Sequence, residues 1–186
     1  MAIYFTIPNL LSASRIVFLP LLFILLYNGH YYPFLVGYIL LGSTDFFDGL
    51  IARRLKMVSH FGKELDSLAD LLFYISSAFF LYRLQPDAVA ANSVYLTIFF
   101  SLLGLSFIIS AILFRRPVMM HTIILRFNAV LVFFVIISSF FFDVTWFVRL
   151  VVSLYILGFL EEIAIFLIFG DVDPDSKSII HLIRKV

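Results

Sequence analysis

Asp45-Phe46-Phe47-Asp48-Gly49-Leu50-Ile51-Ala52-Arg53 closes an apolar run; eight further residues separate it from Gly62, which is followed by Asp66 and Asp70. Asp45 and Asp48 are three residues apart and Asp66 and Asp70 four apart. On helices each pair therefore shares a face and can aim both carboxylates at one point. Carboxylates on membrane helices are costly, roughly 2.5–3.5 kcal/mol each at the bilayer centre on insertion scales. Something must offset that cost, and a pair of divalent cations would do so.

The surrounding sequence sets this stretch in a membrane. Of 186 residues, 63% are hydrophobic, 24 are Phe and only 13% are charged, against about 25% charged in a soluble domain. Six apolar runs approach the roughly 20 residues needed to cross a bilayer. They cover about Leu10–Leu26, Tyr32–Ile51, Leu65–Tyr82, Tyr95–Phe114, Thr122–Phe142 and Phe147–Phe169. Length and punctuation define them, because a helix that is apolar all round has no amphipathic period. Arg83 to Asn92, with Pro86 and Asp87, reads as a polar connection. The prediction is an all-α membrane protein of six transmembrane helices forming one domain over residues 1–186. No repeat or low-complexity linker divides it. The absence of cysteine excludes disulfides and thiolate metal sites. A net charge of +1 argues against nucleic acid as a partner. No basic region precedes the first apolar run, so a cleaved signal peptide is not expected.

Basic residues orient the spans. Arg53, Arg54, Lys56 and Lys63 lie between the second and third, Arg115 and Arg116 between the fourth and fifth, and Lys177, Arg184 and Lys185 after the sixth. The alternate connections carry few. By the positive-inside rule, both termini and the aspartates face the cytoplasm. Interfacial segments are expected at both ends. The tail from Ser176 to Val186 alternates Ile179, Ile180, Leu182 and Ile183 with basic residues, as a surface-lying amphipathic helix does. Pro8 to Arg15 brings polar groups to the entry of the first span.

Two helices meeting at a basic loop, each with two carboxylates on one face, offer four hard oxygen donors. These suit Mg²⁺ or Mn²⁺, whose remaining coordination positions substrate phosphate often fills. Two such ions about 3.5–4 Å apart can clamp the attacking and leaving oxygens of a phosphoryl displacement. A carboxylate beside them can accept the proton of an incoming hydroxyl. Glycines allow a bulky ligand close to the backbone, Ala52 keeps that wall low, and Arg53 offers a planar donor fork for phosphate. The plainer alternative is interfacial ion pairing, Asp45 and Asp48 with Arg53 and Arg54, and Asp66 with Lys63. Four aspartates at helical spacing, with glycines between, favour the metal reading. A Mg²⁺-dependent membrane prenyltransferase and a divalent-cation transporter are the other classes that use intramembrane carboxylates. The first does not need Asp-Gly-x2-Ala-Arg; the second often shows broken helices in matching halves.

The full pattern, Asp-x2-Asp-Gly-x2-Ala-Arg-x8-Gly-x3-Asp-x3-Asp, resembles the signature of the CDP-alcohol phosphatidyltransferases, and all eight specified positions are matched. The resemblance implies that Asp45, Asp48, Asp66 and Asp70 hold two divalent cations, Mg²⁺ or Mn²⁺, and that Asp70 is the general base. It implies that Gly49, Arg53 and Gly62, with Ala52 beside them, wall the cytidine diphosphate of the donor. Ser59 would lie near the donor phosphates, and Asn9 and Ser12 would reach the nucleotide from the start of the first span. The reaction implied is attack of a small polar alcohol on the β-phosphorus of CDP-diacylglycerol, releasing CMP, in phospholipid biosynthesis. A homodimer is in keeping with the resemblance.

The acceptor stays open among glycerol 3-phosphate, serine and inositol phosphate. Ile7-Pro8-Asn9-Leu10-Leu11-Ser12 through Arg15 is similar to the glycerophosphate branch, and Gly62 through Asp70 to the serine branch. His121-Thr122 stands where glycerophosphate enzymes commonly carry Lys-Thr. A phosphorylated acceptor would need cations, and Arg115, Arg116 and Arg126 are the candidates. Arg126 lies inside a span, where an arginine seldom faces lipid; the alternative is an ion pair with Glu161 or Glu162.

Overall fold

The structure, a computed structural model, describes residues 6–54, 59–115 and 123–170. All regular elements among them are helices: α1 (Ile7–Tyr27), α2 (Tyr31–Arg54), α3 (His60–Leu84), α4 (Pro86–Ala91), α5 (Ser93–Phe114), α6 (Ile123–Ser138) and α7 (Thr145–Phe169). Among the described residues, four segments are long and apolar enough to cross a membrane: Ile7–Tyr27, Glu64–Leu84, Ser93–Phe114 and Thr145–Phe169. Phe127–Ser138 is a shorter apolar helix. The tail from Ser176 to Val186 lies outside the described residues. The chain divides into two compact units, Met1–Arg83 and Leu84–Val186.

In the first unit, α1 starts on Thr6, whose Oγ1 accepts a hydrogen bond from the Asn9 amide at 3.3 Å. Pro8 sits in the first turn, where a missing amide proton costs the helix nothing. The buried face runs Pro8, Asn9, Ser12, Arg15, Leu19, Leu22, Leu26, a stripe at steps mostly of three and four. The polar groups predicted to lie at an interface are therefore buried within the unit, because they share the stripe that packs. α1 ends in a tight reversal. His30 N donates to Leu25 O at 2.9 Å and Gly29 N to Leu26 O at 3.1 Å, with Gly29 at φ +73°. This is the left-handed glycine stop that satisfies terminal carbonyls, and it returns the chain as α2 antiparallel to α1. Gly37 lets the two helices close: a Cβ there would lie 2.9 Å from Leu22 Cδ2.

α2 and α3 pair antiparallel. Tyr38 Oη and Ser77 Oγ are 2.9 Å apart, and the Ser77 hydroxyl also lies 2.8 Å from Phe73 O. Around them Tyr38 stacks on Phe73 at 4.9 Å, Phe80 sets its edge to Phe34 at 4.9 Å, and Phe23 of α1 meets Phe80 at 4.7 Å. Lipid tails are as apolar as these rings, so association rests on packing and interhelical hydrogen bonds rather than water release. Each ring pair contributes roughly 0.5–1.5 kcal/mol beyond area burial. This cluster fixes the two helices about two turns from Asp45 and Asp70. Tyr38→Phe is expected to destabilise the unit by about 0.6 kcal/mol, and by no more than about 2 kcal/mol, in a mixed-micelle unfolding titration.

In the second unit α7 packs against α4, α5 and α6. Asn92, fully buried, ties the corner: Nδ2 donates to Ala88 O (2.8 Å) and Thr145 O (3.0 Å), while Oδ1 accepts from Arg149 Nε at 3.2 Å. The Arg149 guanidinium lies 4.5 Å over the Trp146 ring and 5.3 Å over Tyr95. Thr145 donates its amide and hydroxyl to Asp143 Oδ1, which holds that exposed carboxyl below the usual carboxylate range. A Cβ on Gly158 would lie 2.7 Å from Leu125 Cδ2, so glycine sets the approach of α6 to α7.

Two predicted boundaries move. The polar connection from Arg83 to Asn92 contains α4, because Pro86 opens a helix, Asp87 suits its first turn and alanines continue it. The fifth run, predicted to reach Phe142, gives a helix that stops at Ser138. There the Ser139 hydroxyl donates to Ile136 O at 2.7 Å, and the Ser139 carbonyl accepts from Gln85 Nε2 at 2.9 Å. Those contacts turn Phe140–Phe142 out of the helix despite their apolar character.

Candidate active site

Three of the four predicted aspartates meet. Asp45 comes from the second half of α2, Asp66 and Asp70 from the first half of α3, and one oxygen from each lies within 4.8 Å of the others. Their side chains are 32–41% exposed. The i,i+4 spacing puts Asp66 and Asp70 on one face of α3, and the antiparallel pairing set by Tyr38 and Ser77 brings Asp45 opposite them. Asp48, Gly49, Ala52 and Arg53 belong to α2, but their side chains lie outside the described residues.

A buried arginine holds these carboxylates together. Arg15, its side chain 2% exposed, sends Nη1 to within 3.3 Å of Asp45 Oδ1 and Nη2 to 2.8 Å from Asp66 Oδ1. Nη1 also donates to Asp70 Oδ1. A partner common to all three aspartates is thus an arginine of α1; the side chains of Arg53, Arg54 and Lys63 lie outside the described residues. Arg15 was not among the predicted site residues. The available signal was its place in Asn9-x2-Ser12-x2-Arg15, three polar groups at three-residue steps on one face. An arginine within an apolar span requires a counter-charge.

The other α1 residues join the same site. Ser12 Oγ lies 3.4 Å from Asp66 Oδ1 and 3.3 Å from Pro8 O, so its single proton serves one of the two. Asn9, 4% exposed, faces the start of α3: a Cβ on Gly62 would fall 2.6 Å from Asn9 Oδ1 and 3.0 Å from Ser59 Oγ. Ser59 Oγ accepts the Gly62 amide at 3.0 Å, the geometry of a helix cap. Asn9, Ser12, Ser59 and Gly62 therefore converge next to the carboxylates, with Gly62 admitting the Asn9 side chain.

Of the predicted acceptor cations, only Arg115 has a described side chain. Arg115 ends α5 as an exposed residue in the left-handed region, φ +56°. Arg116 and the side chain of Arg126 lie outside the described residues. Glu162, buried in the second unit, accepts from Ser106 Oγ at 3.1 Å.

The donor set fits a hard divalent cation. It consists only of carboxylate oxygens, half-exposed, close enough to share one ion, and carrying more negative charge than Arg15 offsets. An all-helical protein with membrane-length apolar helices and an acidic, cation-competent cluster is the class that fold and site define. Residues 5–167 match the CDP-alcohol phosphatidyltransferase family, and the chain belongs to it.

The chain is similar to the CDP-diacylglycerol–glycerol-3-phosphate 3-phosphatidyltransferase of Aquifex aeolicus, 39% identical over 103 residues, which are 53% of this chain and 52% of that protein. It is similar to the protein of the same name from Rickettsia typhi, 39% identical over 69 residues, covering 36% of this chain and 39% of that one. A cardiolipin synthase (CMP-forming) of Streptomyces coelicolor is 37% identical over 78 residues, 39% of this chain and 36% of that protein. The matched stretch thus spans about half or less of these relatives. No solved structure matches the chain.

Proposed function

We propose that this chain is a membrane-embedded phosphatidyltransferase that moves a phosphatidyl group from CDP-diacylglycerol to a small polar alcohol and releases CMP. The observation that carries the reading is the convergence of Asp45, Asp66 and Asp70 from two helices, at the spacing the family signature specifies. Divalent cations held by Asp45, Asp48, Asp66 and Asp70 would neutralise the diphosphate and stabilise the charge that develops on its oxygens. Asp70 takes the proton of the acceptor hydroxyl as its oxygen bonds to the β-phosphorus. The bond from that phosphorus to the CMP oxygen breaks, and CMP leaves with the electron pair. Gly49, Ala52, Arg53, Gly62, Ser59, Asn9 and Ser12 bind the cytidine diphosphate half of the donor.

Glycerol 3-phosphate is the acceptor this reading favours, supported by the names of the most similar relatives and by the opening Ile7 to Arg15. Arg115, Arg116 and Arg126 would receive its phosphate. His121 in place of lysine keeps serine and inositol phosphate as competitors. The chain works as one domain of six spans, with α2 and α6 completing the four apolar segments, and as a homodimer. The basic connections after the second and fourth spans support a cytoplasmic site and cytoplasmic termini.

The decisive assay offers CDP-diacylglycerol with glycerol 3-phosphate, serine, inositol and inositol phosphate in parallel, following CMP and the lipid product by mass. Glycerol 3-phosphate is expected to give CMP and a phosphorylated phosphatidylglycerol. CMP release with serine, inositol or inositol phosphate but not with glycerol 3-phosphate would overturn the acceptor assignment, and no CMP with any of the four the reaction class. Gly62→Ala tests the nucleotide wall. Its methyl group must push Asn9 aside, and turnover is expected to fall by up to about 10²-fold, as misplacement near a reacting centre does. Unchanged turnover would remove Asn9 and Gly62 from the donor site.

A further inference from the structure

We infer that Arg15 is a resident cation of the carboxylate cluster: it holds the aspartates together before divalent ions bind, and those ions must take over its contacts. The inference rests on the proposed metal-binding role of the aspartates and adds a residue that sets how tightly they bind. Three observations carry it. Arg15 engages Oδ1 of Asp45, of Asp66 and of Asp70, the same three carboxylates whose oxygens converge within 4.8 Å. The guanidinium is buried while the carboxylates are half-exposed, so the arginine approaches from inside the unit and leaves their outer side open. Its burial on the packed stripe of α1 keeps it next to the cluster whatever else arrives.

The chemistry follows from charge. Arginine stays protonated in proteins, so its positive charge is permanent and cannot be removed by a proton leaving. Without it, three carboxylates at this separation would repel one another and spread α2 from α3. A divalent ion offers the same oxygens a stronger partner. Guanidinium and ion therefore compete for one set of ligands, and by linkage the contacts that Arg15 makes in the ion-free protein are opposed to ion binding. Arg15 is in this sense a positioning residue. It preorganises the ligands and lowers their affinity for the ion, which keeps the cluster closed yet exchangeable.

The test uses the full chain in detergent micelles with Mn²⁺ alone as the probe, titrated by calorimetry, and thermal unfolding in EDTA and in saturating Mn²⁺. Arg15→Gln keeps hydrogen-bonding groups and removes the charge. It is expected to bind Mn²⁺ roughly tenfold more tightly than the parent chain, within the usual range of coupling between sites. Its melting temperature should fall in EDTA and recover most of the loss in Mn²⁺. Unchanged or weaker Mn²⁺ binding, or an equal fall in both media, would overturn the inference and leave Arg15 a helix brace. If Arg15→Gln does not fold, Arg15→Lys takes its place. It keeps the charge without the two-armed fork and is expected to tighten Mn²⁺ binding about fivefold; no tightening overturns the inference. A parent chain that binds no Mn²⁺ would instead defeat the metal reading itself, and this inference with it.

Discussion

Asp70→Asn is expected to lower CMP release by about 10²–10⁴-fold, the range that a positioned general base contributes, while CDP-diacylglycerol still binds. Asparagine keeps the shape of the side chain and one carbonyl oxygen, so the change removes charge and basicity with little change in packing. Asp70 and Asp66 both touch Arg15 and both belong to the acidic cluster, which makes Asp66→Asn the natural control. If Asp66 only holds a cation, its variant should regain much of its turnover as Mn²⁺ is raised, because weakened binding is overcome by mass action. The Asp70 variant should not, because no concentration of ion replaces a proton acceptor. Turnover in Asp70→Asn within tenfold of the parent, or its full rescue by Mn²⁺, would remove Asp70 as the base. Donor binding by equilibrium dialysis completes the test, since loss of binding would point to a collapsed site.

The aspartate pairs were legible because helical spacing is a local property. Residues three or four apart share a face wherever the helix lies, so Asp66 and Asp70 could be paired before any tertiary contact was known. The approach of Asp45 to them needed only a hairpin of two helices, which the basic connection between the second and third spans already implied. Arg15 was less legible. Its partners are 30 to 55 positions away in sequence, and no local rule links them. The argument that singled out Arg126 as an arginine within a span applied equally to Arg15, with Asn9 and Ser12 marking the polar face. Gly62 marks a close approach to the backbone, and in the structure Asn9 Oδ1 makes one. A sequence shows that a glycine admits something close, but not whether that is a substrate or the protein itself. The end of α6 escaped for a related reason: Phe140–Phe142 look helical, and only the side-chain bond from Gln85 to the Ser139 carbonyl shows why the helix has stopped. In α4, Pro86 and Asp87 are helix-start signals as well as polar punctuation.

Removal of divalent cations is expected to have the second large effect, and on a different step. Asp45, Asp66 and Asp70 present three carboxylates, and Arg15 offsets one charge; in the proposed metal site Asp48 would add a fourth. A diphosphate brought to that surface adds further negative charge. Two unit charges 4 Å apart interact with about 4 kcal/mol at the effective dielectric near a protein surface, so a surplus of like charge repels the donor strongly. Chelation by EDTA should therefore abolish turnover and also weaken CDP-diacylglycerol binding, by at least about tenfold. Asp70→Asn with Mg²⁺ present should affect turnover alone. Mg²⁺ or Mn²⁺ should restore both properties, since each accepts octahedral oxygen ligation. Ca²⁺, which takes more ligands at longer distances, should restore donor binding better than turnover, because neutralising charge asks less of geometry than aligning an attack. Turnover that survives exhaustive chelation would end the metal reading. Donor binding that is insensitive to EDTA would instead show that cations of the protein such as Arg53 suffice to receive the diphosphate, and would confine the ions to the chemical step.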